Sequence, residues 1–309
     1  MSLVSLAISN HRHHRRASIS ALHRHHPAVP GPPSPDRFPS SVHFPAAAGA
    51  QPHGPSRRSL RRCILGSGGR AFVQDAGATA AVLAGAYSLV FTFDTLTQRN
   101  LIQQSLSRKL VHILSGLLFM ACWPIFSNSI EARYFASLVP LVNCLRLVIN
   151  GLSLATDEGL VKSVTREGNP QELLRGPLYY VLILILCAIV YWRESPTGVI
   201  SLAMMCGGDG IADIIGRRFG SQKLPYNHRK SWAGSISMFV CGFMISIGML
   251  HYFSSLGYFR LDWTTTLWQV ALISLVATVV ESLPTKEVLD DNISVPLSSM
   301  LMAFWIFGW

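Results

Sequence analysis

Charged residues are scarce in this chain of 309. Asp, Glu, Lys and Arg together make up 14% of it, while 50% is hydrophobic. An average soluble domain carries roughly 25% charged residues, so the shortage excludes a disordered polyelectrolyte and an ordinary soluble basic domain. The net charge of +10 is misleading, because acids are nearly absent from one segment only: residues 1–72 hold ten Arg, no Lys and the single acid Asp36. From residue 73 onward 16 bases meet 15 acids, and that near-neutral body offers no basic face for a phosphate backbone. Nucleic acid is not an expected partner. The chain also has no GxxxxGK[ST] phosphate loop, no GxGxxG dinucleotide fingerprint and no zinc-ligand spacing. Any nucleotide chemistry must therefore rest on carboxylates, a divalent cation and bases. The six cysteines form no CxxC pair: Cys63 closes the basic segment, and Cys122, Cys144, Cys187, Cys206 and Cys241 lie in apolar runs. Buried thiols are expected there, not a disulfide framework.

The basic segment lacks a sustained apolar period and is rich in Arg, His, Ser, Pro and Ala, as in His11-Arg-His-His-Arg-Arg16 and Pro30-Gly-Pro-Pro-Ser-Pro35. Such a stretch cannot bury a core and is expected to be disordered. Being Arg- and Ser-rich, poor in acids and without the apolar centre of a secretory signal, it reads as an organellar transit peptide over residues 1–62, and its Ser/Pro/Ala content favours the plastid. Processing is expected near Arg61-Arg62-Cys63, leaving 63–309 as the working domain. Its eight histidines belong to no metal-ligand pattern and read as part of a solvated leader.

Beyond the leader the chain becomes a series of apolar runs at 76–93, 110–126, 134–155, 177–192, 197–216, 236–253, 264–283 and 293–308. Each is close to the length that crosses about 30 Å of hydrocarbon, and each is apolar nearly all round. The predicted fold class is all-α, a polytopic integral membrane bundle of seven or eight transmembrane helices. If all eight cross, loops 94–109, 156–176, 217–235 and 284–292 share one side, which then carries twelve bases against three on the other, with Arg146 inside a span. That bias follows the positive-inside tendency, and in a plastid membrane the basic side is the stroma. Asp157, Glu158, Glu167, Glu172, Asp290 and Asp291 also fall on it, with Asp209, Asp213 and Glu281 near the span ends that face it. Ionisable groups drawn into spans cost a few kcal/mol unless paired, hydrated or ion-bound, so they point to function.

The densest chemistry lies in Gly207-Gly-Asp-Gly-Ile-Ala-Asp-Ile-Ile-Gly-Arg-Arg-Phe-Gly220 and the adjoining Lys223-Leu-Pro-Tyr-Asn-His-Arg-Lys-Ser-Trp-Ala-Gly-Ser235. On a helix Asp209, Asp213 and Arg217 recur every four residues and share a face. Two carboxylates suit Mg²⁺, which is commonly held by one or two carboxylates plus substrate phosphates. Arg217, Arg218, Lys223, Arg229 and Lys230 are placed to take phosphate charge, with Gly207, Gly208 and Gly210 allowing close backbone approach. The plainer alternative is an Asp213–Arg217 pair on a wet helix end with glycines that only allow packing. In Arg108-Lys-Leu-Val-His112 the imidazole, one turn beyond Arg108, is either a base for an alcohol or a structural group. Tyr179 and Tyr180 read as interface anchors. Asp291 and Asn292, in Asp290-Asp-Asn-Ile-Ser-Val-Pro296, are either ligands for metal or substrate hydroxyl, or simple loop polarity.

Taken in order, Arg108-Lys109-x-x-His112, Arg166-Glu167-Gly168 with Glu172-Leu-Leu-Arg-Gly-Pro-Leu-Tyr-Tyr180, Gly208-Asp-Gly-Ile-Ala-Asp213 with Gly216-Arg-Arg-Phe-Gly220, Lys230-Ser-Trp-Ala-Gly-Ser235, and Glu281 with Asp291-Asn292 resemble the polyprenol kinase family, nearest the phytol kinases of plants and cyanobacteria. The resemblance covers about residues 105–309. It implies a multi-pass chloroplast-membrane kinase that moves the γ-phosphoryl group of CTP or UTP to phytol, giving phytyl phosphate for tocopherol synthesis by phytol salvage. Mg²⁺, a nucleoside triphosphate and membrane lipid are the implied partners. On this reading Asp209 and Asp213 hold the Mg²⁺-nucleotide, Arg217, Arg218 and Lys230 the phosphates, and His112, Asp291 or Asn292 the alcohol. Farnesol and other prenol kinases share these motifs, membrane cytidylyltransferases are more distantly similar, and an isoprenoid or anion carrier is the non-enzymatic alternative.

Overall fold

The computed structural model describes residues 57–155, 157–165, 168–284 and 290–308, with side chains described from residue 68 onward except at positions 158, 162 and 163. The expected leader lies outside the described residues as far as position 56, as do Arg166, Glu167 and Lys286. The body consists of α1 (Arg57–Gln98), α2 (Gln104–Ala121), α3 (Ala132–Gly151), α4 (Glu158–Val164), α5 (Gly176–Leu186), α6 (Pro196–Leu202), α7 (Gly210–Phe219), a β1–β2 hairpin (Lys223–Leu224 and Asn227–Ser231), α8 (Trp232–Ser255), α9 (Trp263–Ser282) and α10 (Asp291–Phe307). The all-α membrane bundle expected from the apolar runs is thus what the chain forms. Seven helical stretches are long and apolar enough to span: Gly68–Gln98, Gln104–Ile125, Ala132–Gly151, Pro170–Tyr191, Pro196–Phe219, Trp232–Ser255 and Trp263–Ser282. The eighth run forms α10, whose 17 residues fall short of the ~20 that cross a bilayer unaided.

Local signals set the helix ends. Proline stands in the first turn of α5 and α6, where its missing N–H costs nothing. Asp157, Ser231 and Asp290 cap α4, α8 and α10 by accepting from the backbone N–H of Leu160, Gly234 and Asn292. Two helices change pitch midway: α5 continues into a π turn at Cys187–Tyr191, and α6 passes through a π turn at Ala203–Asp209 directly into α7. Such turns re-aim the side chains beyond them and are frequent at functional sites.

The α6–α7 span is the axis of the fold. Of its most apolar window 78% is buried within the protein, against 17–39% for the other six spans. It packs along α8 and α10 and against α2, so its neighbours and not lipid surround it. That shielding allows this span to carry Asp209 and Asp213.

The two ends of the bundle differ in kind. At one, Arg193 is 2% exposed and donates to the carbonyls of Trp123 (3.1 Å), Phe126 (3.0 Å) and Ser127 (2.7 Å) and to Asn128 Oδ1 (2.8 Å), with Tyr258 beneath its guanidinium. Asp75 closes the same knot by accepting from the Ser127 backbone and from the Ser127 and Ser129 hydroxyls. These bonds satisfy buried groups and hold loops together. At the other end, residues of the four basic loops line one large cavity. Cysteines introduced at Ile130 and at Ser221 should therefore react with a membrane-impermeant thiol reagent from opposite faces; labelling of both from one face, above the background of the native cysteines, would overturn this arrangement.

Candidate active site

The hairpin brings the site together. β1 and β2 pair antiparallel with Lys223 opposite Ser231 and Leu224 opposite Asn227. Asn227 Nδ2 donates to the Ser282 and Leu283 carbonyls at 3.0 and 3.2 Å, and the Tyr226 hydroxyl bonds Ser282 Oγ at 2.9 Å. The strand is thereby clamped to the end of α9, and Lys230, three residues on, is delivered onto Glu281. Its Nζ donates to Glu281 and, at 2.8 Å, to Asp291 Oδ2 at the start of α10.

Asp209 completes this group from the end of the π turn. One carboxylate oxygen each from Asp209, Glu281 and Asp291 lie within 4.8 Å of one another. Next to them Lys109 of α2 reaches Asp209 at 3.9 Å and Asp213 at 3.4 Å, and Arg217 holds the far side of Asp213 at 3.0 Å. Four carboxylates thus face Lys109, Lys230 and Arg217 in one contiguous network. Burial works to lower the Lys230 pKa, but Glu281, Asp291 and Asp209 outweigh it, so the ammonium is held above its ordinary value and remains charged across the neutral range.

A divalent ion fits the donor set. Three convergent carboxylates are hard ligands of the kind Mg²⁺ takes, and Glu281 Oε2 is buried without a hydrogen-bond partner among the described residues. Lys230 already lies against two of the three, so an ion bound there shares Glu281 and Asp291 with an ammonium.

His112 sits one turn beyond Lys109 on α2, its ring tilted by 37° against that of Tyr180 with 4.0 Å between centroids. Its Nε2 is buried and has no hydrogen-bond partner among the described residues, and the ring also interacts with the backbone of Met205 in the π turn. Tyr180, expected as an interface anchor, is instead buried, with its hydroxyl donating to the His112 carbonyl at 2.8 Å. Asn292 Nδ2 donates to Asp290 Oδ1 at 2.9 Å and to the Gly176 carbonyl at 3.3 Å, and its Oδ1 is buried without a partner among the described residues.

Of the residues expected from sequence, Asp209, Asp213, Arg217, Lys230 and Asp291 meet in this network, and His112 and Asn292 line the same cavity. Asp209 is grouped with Glu281 and Asp291, while Asp213 takes Lys109 and Arg217. Arg218 is exposed, its guanidinium over the adjacent Phe219 ring at 5.6 Å, and is not among the cavity-lining residues. The glycines also serve differently from a phosphate cradle: Gly208 lies against Gly242 and Met238 of α8, and a Cβ on Gly210 would collide with Ile113 of α2. They let helices pack closely. Lys109 and Glu281 fall in the sequence motifs, and Glu281 among the span-end carboxylates, without a role assigned to either; the structure brings both into the network.

Comparison with known proteins bears on the whole chain. It is 62% identical over 290 residues to "Probable phytol kinase 1, chloroplastic" of Glycine max, covering 94% of this chain and 96% of the relative. It is 65% identical over 254 residues to "Phytol kinase 1, chloroplastic" of Arabidopsis thaliana, covering 82% and 83%, and 63% identical over 238 residues to "Probable phytol kinase, chloroplastic" of Zea mays, covering 77% and 78%. No family model and no solved structure matches.

The network makes a stability prediction independent of activity. Glu281 is 5% exposed and Lys230 26%, which places the pair between a buried and a surface salt bridge. Lys230→Met should cost about 1–3 kcal/mol at neutral pH. Thermal unfolding of parent and variant in detergent at pH 7 will measure the loss. In the parent protein the raised Lys230 pKa gives a contribution fully present below the ordinary lysine value and lost only as pH rises through the raised one.

Proposed function

The chain belongs to the phytol kinase family, and from that membership we propose that it transfers the γ-phosphoryl group of CTP or UTP to phytol, releasing phytyl phosphate for tocopherol synthesis by phytol salvage. Its place on this reading is a chloroplast membrane, with the basic end of the bundle in the stroma. The observation that carries the proposal is a network of four carboxylates and three cations in a cavity whose wall also includes an apolar stretch, Val82, Ala86 and Val90 of α1 with Leu118 and Phe119 of α2. A prenyl alcohol resides in lipid and a nucleotide in water, so their reaction requires a site that is charged on one side and apolar on the other.

Phosphoryl transfer demands positioning and charge neutralisation more than covalent participation by the protein. Asp209, Glu281 and Asp291 are the residues that would hold Mg²⁺, with Asp213 beside them. Mg²⁺, when bound, supplies charge neutralisation at the phosphate oxygens. Lys230, Lys109 and Arg217 approach from three elements to bind and orient the polyphosphate, and they need not be recruited, because the carboxylates already keep them in place. His112 lines the cavity and its Nε2 has no hydrogen-bond partner among the described residues, which suits it to accept the hydroxyl proton of the alcohol. Asn292, fixed by Asp290 and Gly176, leaves its Oδ1 to accept from the same hydroxyl or from the ribose.

Purified protein with labelled CTP and phytol tests this directly. Asp209→Asn is expected to lower phytyl phosphate formation roughly a hundredfold or more while the protein remains folded. His112→Ala should lower kcat by about a hundredfold and leave nucleotide binding intact. Undiminished turnover in Asp209→Asn would sink the carboxylate role. Release of pyrophosphate instead of CDP would make the enzyme a cytidylyltransferase, and preference for farnesol would make it a kinase of shorter prenols.

A further inference from the structure

The charged network occupies only one part of its cavity. The same continuous space, about 3100 Å³, extends between α1, α2, α3 and α5. Its wall on α1 includes Val82, Ala86, Val90 and Phe91, a stripe at helical spacing, and on α2 it runs from His112 through Ser115 to Phe119. Phe119, Val82 and Val139 are all buried and close the end remote from the carboxylates. By the rise of an α-helix the α2 wall from His112 to Phe119 is roughly 10 Å long, and the α1 wall from Asp94 to Val82 roughly 18 Å. That is far more than a hydroxyl and its first carbons need.

Resting on the kinase reading, we propose that this trough holds the hydrocarbon tail of the prenyl alcohol, with Phe119, Val82 and Val139 as its floor and Ala86 midway along it setting the length of chain accepted. Three observations converge on that occupant. The trough is continuous with the nucleotide end, so a molecule lying in it meets the phosphates with one terminus. The junction is marked by His112, a lining residue whose buried Nε2 has no hydrogen-bond partner among the described residues. The α1 side is open, with Tyr87 and Phe91 exposed where lipid surrounds the protein, which gives an alcohol dissolved in the bilayer a lateral way in. Occupants other than a tail with one polar end do not use both the apolar wall and the free imidazole nitrogen.

Full-length protein in lipid nanodiscs with CTP and, in turn, geraniol, farnesol and phytol tests the assignment through ratios. Ala86→Phe fills the trough and should lower the kcat/KM of phytol relative to geraniol about tenfold, the scale on which apolar pockets discriminate. Phe119→Ala lengthens it and should shift the ratio the other way. Because the readout is a ratio within one variant, partial loss of folded protein does not mimic it, and ratios unchanged in both variants would overturn the proposal. A farnesol analogue with a terminal diazirine gives a positional readout that needs no turnover. Crosslinks to α1 or to Leu118–Phe119 support the trough, and crosslinks confined to α8 and α9 reject it. Crosslinking in the trough without phosphorylation of any alcohol would retain the binding site and refute the kinase reading.

Discussion

The constraint on which this structure depends is the cost of ionised carboxylates at the edge of hydrocarbon. Asp209, Asp213, Glu281 and Asp291 stand together in a chain otherwise short of charge, and such a group is tolerable only if cations reach it from elsewhere in the fold. Lys109 comes from α2, Lys230 from the hairpin and Arg217 from the next turn of α7. Lys109 and Lys230 touch carboxylates on other elements and so tie α2 to α7 and the hairpin to α9 and α10, whereas Arg217 pairs within α7. The clamp of the hairpin on the α9 end, made by Asn227 and Tyr226, is neutral in charge and adds to the positioning. Removing Asn227 would thus disturb Lys230 without touching any ion pair.

Two features of the backbone make that arrangement tolerable. The α6–α7 span is insulated by its neighbours, so the acids it carries meet protein and not acyl chains. The π turn ending at Asp209 changes the helical phase just before Gly210, and the close fit of Gly208 against α8 and of Gly210 against α2 brings the flanking helices near enough to supply partners. At the opposite end Arg193 shows the alternative solution: a buried cation satisfied almost entirely by backbone carbonyls and an aromatic face, with its carboxylate neighbour Glu194 at 3.4 Å largely in solvent. Among the described residues the Arg193 end leaves Trp123 Nε1 and Ser195 Oγ buried without partners, while at the other end the unpartnered atoms include those of Glu281, His112 and Asn292, all three residues lining the cavity.

Much of this architecture is legible in the residues alone. Apolar runs of near-spanning length point to the all-α membrane class because periodicity and length act locally. Asp209, Asp213 and Arg217 stand out by their four-residue spacing, and Lys230, His112 and Asp291 by the chemistry of their segments. What escapes depends on tertiary approach. Whether Asp209 has Asp213 or Glu281 as its closer partner is decided by the rotation of α7 against α9 and by the π turn, and neither leaves a periodic signal. Arg218 looks identical to Arg217 in sequence, yet one residue of helical rotation puts it over Phe219 and outside the cavity. Tyr180 stands beside Tyr179 in an aromatic pair, and only the packing of α5 on α2 turns one of them inward to His112. The trough is beyond sequence altogether, since it is made of the gap between four helices and not of any residue's chemistry.

The polar and apolar ends of that space impose opposite demands, and the structure meets them with a single helix. On α2, Lys109, His112 and Phe119 succeed one another along the cavity wall: an ammonium among carboxylates, a neutral-capable ring at the boundary, and an aromatic floor. An amphiphile with its polar terminus at His112 has its reactive oxygen within one helical turn of the cations, and its tail cannot follow, because no charge lies below that level on the inner face of α2. On the proposed reading the water-soluble partner would be held from the other side by bases already fixed to carboxylates, so that neither substrate need leave its own phase. Orientation is therefore supplied by solvation as much as by contacts: reversing the alcohol would bury its hydroxyl unpaired among Val82, Phe119 and Val139, at the cost of a lost hydrogen bond in an apolar medium.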